Sequence, residues 1–136
     1  MGLDQTAYYE NSDGEQTEIC YWRKHNRLQG WMEQLWRAKG KPNLDPNVQS
    51  EFGDFNCIPL PIDESDLEQL EAHVCNKDLP ETSGFFFGDD SFAWEDENGN
   101  PHKGKDYFHK STDLDFIEQA REAIKNGNKV FYHCWY

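Results

Sequence analysis

WRKHNRLQGWMEQLWRAK, residues 22–39, is the stretch on which the fold turns. Leu28, Trp31, Met32, Leu35 and Trp36 recur at three- and four-residue spacing, and Gly40 follows as a stop. At about 100° per residue these five share one apolar stripe. Arg23, Arg27, Gln34 and Arg37 fall opposite, and Lys24 and His25 project toward the apolar side in the first turn. A helix over about residues 22–39 is therefore expected, built to pack against a sheet or other helices.

Working outward, residues 3–9 alternate loosely and read as a first strand, followed by a polar turn over 11–16. Residues 17–21 form a short strand that runs into the helix. Downstream, residues 42–56 are an expected exposed loop. Residues 55–60 suggest a short strand that Pro59 keeps at a sheet edge. Asp63 and Asp66 have the spacing of a reciprocal cap, and Leu67, Leu70 and Val74 mark a second helix to about Cys75. The apolar run Ser83-Gly84-Phe85-Phe86-Phe87-Gly88 is a buried strand or tight loop. Residues 95–106, with an Asn98-Gly99 turn, are a second exposed excursion. Thr112 is the expected cap of a third helix carrying Phe116, Ile117, Ala120 and Ile124 inward and closed by Gly127. Residues 129–136 are a last strand. The order β-α-β-α-β-α-β over one domain, 1–136, predicts an α+β or small α/β fold, with about three helices on three to five short strands.

Aromatics make up 15% of the 136 residues, enough for an aromatic-rich core and too many for a disordered chain. The net charge of −13 argues against general nucleic-acid or anionic-membrane binding. Within residues 21–41, however, six bases face one acid, a local +5 that leaves −18 elsewhere. Residues 1–4 have no basic or apolar leader character, and no window approaches the roughly 20 apolar residues of a membrane span. Cys20, Cys57, Cys75 and Cys134 are expected to be reduced, mostly buried thiols of a cytosolic protein.

Chemistry-bearing motifs are sparse. His25, His73, His102, His109 and His133 never join the cysteines in a metal-ligand spacing, so no metal and no cofactor is expected. Cys134 and His133 adjoin on a strand and so face opposite sides, while Cys20 and His25 bracket the strand–helix junction and could approach. No acid, base and nucleophile set is visible, and an enzyme is the less favoured class. The basic start of the helix is the feature above background. Backbone N–H groups at a helix N-terminus favour an anion, Arg23, Lys24, His25 and Arg27 add charge, and Trp22 offers a stacking plane. The alternative is that these bases bridge to the chain's own acids.

Taken together, Met1-Gly2-Leu3-Asp4, Tyr21-Trp22-Arg23-Lys24 with Asn26 and Trp31, Ser83-Gly84-Phe85-Phe86-Phe87-Gly88 and an aromatic C-terminal segment with Trp135 resemble a family of small tailed-bacteriophage proteins of no established activity. Gln29 departs from that pattern, where a His is usual, and so do His133 and Cys134, where two Ser are usual. The resemblance implies a phage accessory protein acting in the host cytoplasm, with Trp22, Arg23, Lys24, His25, Asn26, Arg27, Ser83, Gly84 and Trp135 as candidate binding residues. Its expected partner is a host protein or a nucleotide-like anion, in a role that blunts a host defence. Two alternatives stand beside it: an acidic mimic of nucleic acid that inhibits a host protein, and a small enzyme. The sequence sets no oligomeric state.

Overall fold

Asp4–Glu10 (β1) and Gln16–Arg23 (β2) form an antiparallel hairpin, and this pairing decides where the first helix starts. The computed structural model describes residues 2–44, 55–82, 91–92 and 107–136. The remaining elements are α1 (Asn26–Ala38), β3 (Leu60–Ile62), α2 (Glu64–Asn76), α3 (Lys110–Lys125) and β4 (Lys129–Trp135). The strands lie in the order β2-β1-β4-β3, all antiparallel, giving a single α+β domain of three helices and four strands among the described residues.

Among the described residues the order is ββαβααβ, and the two strands that precede α1 depart from the expected strict alternation. Trp22 and Arg23 were expected inside the helix. They belong to β2, where Trp22 pairs with Gln5 and Arg23 with Asp4. Strand alternation sends Cys20 and Trp22 inward and Tyr21 and Arg23 outward. Lys24 then takes a left-handed turn (φ 55°) and donates its N–H to Leu3 O, which ends the strand. The later elements shift less. The expected strand at 55–60 is confined to Leu60–Ile62, because Cys57 sits in a turn at φ 64° with its N–H on Cys134 O. Pro61 is tolerated there because β3 is an edge. α3 begins three residues before the position expected from a Thr112 cap, with His109 as its first flanking residue. The expected cap of α2 is present in full: Asp63 and Asp66 exchange side-chain-to-backbone bonds. The strand or loop expected at 83–88 and the Asn98-Gly99 turn lie outside the described residues.

One sheet face carries Leu3, Gln5, Ala7, Cys20, Trp22, Val130, Tyr132 and Cys134 into the core. Phe116 of α3 packs edge-on to Trp22 at 5.3 Å between centroids, and Trp36 of α1 lies on Phe55 at 5.0 Å. Each fully buried Leu or Phe contributes about 1.5–3 kcal/mol, so this aromatic layer carries much of the fold. α2 joins the stack through Glu71–Arg121 on α3 and Asp66–Lys39 at the end of α1. Among the described residues no helix covers the opposite face, where Tyr21 and Trp135 stay 50% and 59% exposed. No described helix is long and apolar enough to cross a membrane.

Candidate functional site

The junction between β2 and α1 is the centre of a buried polar network, and His25 is its hub. Its imidazole is 0% exposed, with Nε2 2.8 Å from Asp113 Oδ2 and Nδ1 2.9 Å from Ser91 Oγ. Asp113 Oδ1 accepts from Trp22 Nε1–H at 2.8 Å, and Oδ2 accepts from the Tyr107 hydroxyl at 2.5 Å. A carboxylate only accepts, so in the neutral ring Nε2 carries the hydrogen toward Asp113 and Nδ1 is left to accept from Ser91. Ser91 Oγ in turn receives the Arg27 backbone N–H at 3.3 Å, and the Ser91 N–H donates to Asn26 Oδ1 at 2.9 Å. Ser91 therefore supplies from a distant part of the chain the cap that the His25 side chain does not give α1.

Gln5 locks the hub from the other side, accepting from His25 N–H through Oε1 and donating to His25 O through Nε2. The same Nε2 bonds the Tyr132 hydroxyl, which donates to Gln29 Oε1, and Gln29 Nε2 reaches Cys134 Sγ at 3.2 Å. No buried side-chain nitrogen or oxygen among the described residues lacks a partner. Such a network is costly to disturb, since each orphaned polar group forfeits its desolvation cost.

The candidate residues at the basic helix start are divided between core and surface. Trp22, His25 and Asn26 are buried with polar atoms bonded inside the protein. Arg27 is half-buried, its guanidinium donating to Leu79 O and lying 4.2 Å over the Phe92 ring. Lys24 is exposed, not turned to the apolar side. Arg23 faces the open side of the sheet, 3.9 Å from Asp4 Oδ1, and Asp4 also pairs in register with Trp135. Arg23, Asp4 and Trp135 form a row there, apart from His25. Ser83 and Gly84 lie outside the described residues.

The two buried thiols, Cys20 and Cys134, are poor nucleophiles. Burial and then Asp115 and Asp113 push Cys20 up to about 12, and burial does the same to Cys134. Cys20 Sγ lies 3.9 Å from Asp115 Oδ2, while the His25 ring bonds to Ser91 and Asp113. Among the described residues no three ligand side chains gather to hold a metal. Gln5, Gln29, Ser91, Tyr107 and Asp113 are the residues sequence reasoning passed over. Three carried a signal: Asp113 shares the helical phase of Phe116, Ile117 and Ala120, Gln29 that of Met32 and Trp36, and Gln5 alternates between Leu3 and Ala7.

A second feature lies between α2 and α3, a groove of about 720 Å³. Leu114 and Ile124, both only partly buried, give it an apolar lining, and Glu64, Glu71, Glu118 and Glu122 give it negative charge against Arg121 and Lys125. No protein-family model, curated protein or solved structure matches the chain. Its function must be argued from these side chains.

Proposed function

We propose that the chain is a phage accessory protein that acts in the host cytoplasm by binding, and that its contact surface is the α2–α3 groove. The partner is a host protein with a basic face, of the kind that receives nucleic acid. The observation that carries this reading is the groove itself: four glutamates around a lining that includes Leu114 and Ile124. Apolar contact gives such a surface affinity, while the acids steer and select a basic partner. An inhibitor of this kind suits a counter-defence role. A nucleotide-like anion at the helix start has less support, because Trp22, His25 and Asn26 already spend their polar atoms on the protein.

The test is capture from host lysate by the tagged protein, wild type against the double variant Glu118→Gln/Glu122→Gln. The expected partner is held at about 50 mM salt, is lost at about 500 mM as screening tightens, and is displaced by duplex DNA. The double variant should hold about tenfold less, the loss of roughly 1.4 kcal/mol of contact energy. A partner that stays bound in high salt, ignores DNA and binds the double variant equally well would sink the proposal.

A further inference from the structure

We infer that Ser91 is an activated nucleophile, with His25 as its general base and Asp113 as the residue that positions that base. The inference is independent of the binding surface between α2 and α3. Three distances carry it. Ser91 Oγ lies 2.9 Å from His25 Nδ1, His25 Nε2 lies 2.8 Å from Asp113 Oδ2, and the Arg27 backbone N–H lies 3.3 Å from Ser91 Oγ. A nucleophile hydrogen-bonded to a base that is itself oriented by a third group is the arrangement hydroxyl catalysis needs, whichever fold supplies it. Here the ring nitrogens are used in the reverse of the common order, Nδ1 toward the hydroxyl and Nε2 toward the acid. Proton transfer requires only that one nitrogen accept while the other is held as a donor.

The surroundings fit the chemistry. Asp113 is 0% exposed and is held by Trp22 Nε1–H and the Tyr107 hydroxyl as well as by His25, so the tautomer and the ring plane are fixed before any substrate arrives. Along the chain Asp113, His25, Ser91, only Ser91 shows surface, at 8%. The relay therefore runs from the interior outward and ends on the hydroxyl. Ser91 also sits at the N-terminal end of α1, where the helix dipole favours developing negative charge.

The substrate class is a small carboxylic ester. Ser91 Oγ bonds to the carbonyl carbon as its proton passes to His25 Nδ1 and the carbonyl π pair moves onto oxygen. The tetrahedral carbon then expels the alcohol, which takes that proton from Nδ1 and leaves acyl-Ser91. Water, deprotonated by Nδ1, attacks the acyl carbon and releases the acid, returning the proton to Ser91. Asp113 stays a carboxylate throughout.

The alternative role for the same atoms is to cap α1 and nothing more, and the test separates the two. Purified protein is incubated with a small alkyl fluorophosphonate and read by intact mass and peptide mapping. The expected result is one adduct per chain, on Ser91, absent after heat unfolding and absent in Ser91→Ala. His25→Gln and Asp113→Asn, checked for folding by circular dichroism, should slow the labelling at least about 100-fold, the usual contribution of a general base. Folded wild type that takes no label, a label on another residue, or labelling as fast in either folded variant overturns the inference. If neither variant folds, the wild-type result and its heat control decide alone.

Discussion

Asp113 receives hydrogen bonds from Trp22, His25 and Tyr107 at the one place where a sheet strand, the start of α1 and α3 meet. Replacing it with Ala orphans three buried donors at once, so Asp113→Ala should cost about 3–5 kcal/mol in urea unfolding, at about 1–3 kcal/mol for each unsatisfied group less what relaxation and water recover. Asp113→Asn keeps the shape and one acceptor oxygen, while its NH2 faces a donor, and should cost less than Asp113→Ala. Equal costs would mean that packing, not hydrogen bonding, sets the value of this side chain. His109 makes a second residue-scale prediction. It stacks on His25 with centroids 4.5 Å apart and rings within 13° of parallel. Burial first, and His25 second, lower it from the usual 6.5 to about 4, against a smaller raising effect of Asp113. The folded chain therefore refuses a proton that the unfolded chain accepts between those values. Stability should be whole above about pH 6.5 and fall as pH drops toward about 4. His109→Gln should flatten that part of the curve, read as the difference in urea midpoint between neutral pH and about pH 5. An unchanged slope in the variant would move the acid sensitivity to another group.

Gly30 lies in the second turn of α1, where helix propensity alone would favour alanine by about 1 kcal/mol. The structure reverses the sign. A Cβ on Gly30 would stand 1.8 Å from Thr82 Oγ1 and 3.0 Å from Thr82 Cβ, so Gly30→Ala should destabilise by about 1–3 kcal/mol. In a Thr82→Gly background the same change should become neutral or stabilising, and a double-mutant cycle by urea unfolding measures the coupling. Strictly additive costs would remove Thr82 as the cause. The same helix shows how far elements are legible in sequence. Its end is, because the apolar stripe from Leu28 to Trp36 runs into Gly40. Its start is not, because Lys24 and His25 also fall in the helical apolar phase, and only pairing with β1 shows that the strand runs on to Arg23. The site resisted reading for a related reason. His25 finds its partners 66 and 88 residues away, at Ser91 and Asp113, and no local spacing encodes such a meeting. The polar residues in apolar phase were the available trace, since a buried carboxylate or amide is rare unless it is paired.

At the scale of the whole molecule the question is what a net charge of −13 does after folding has used its bases. Several are committed close to acids: Lys39 to Asp66, Arg37 to Glu33, Arg23 to Asp4. Around Arg121 the balance is reversed. Glu71 bonds it directly and, with Glu64 and Glu68, raises its pKa above the ordinary guanidinium value, while Glu118 and Glu122 share the groove. An exposed ion pair is ordinarily worth about 0.2–1 kcal/mol, and this one should lie at the top of that range in dilute salt because its loss leaves the acids facing one another. Arg121→Gln should therefore lower the melting temperature at low ionic strength and lose most of that effect near 1 M NaCl, where the screening length shrinks to about 3 Å. Glu118→Gln/Glu122→Gln should do the opposite, raising the melting temperature in dilute salt and converging on wild type in concentrated salt. On the binding proposal that stabilised double variant is also the one that releases its partner. Stability and binding then move in opposite directions at the same two residues, as expected where a surface keeps unfavourable charge for an interaction that needs it. Melting curves of the three proteins at both salts test the electrostatic half directly. A salt-independent cost for Arg121→Gln would show that the pair, and not the acids around it, sets the energy of this face.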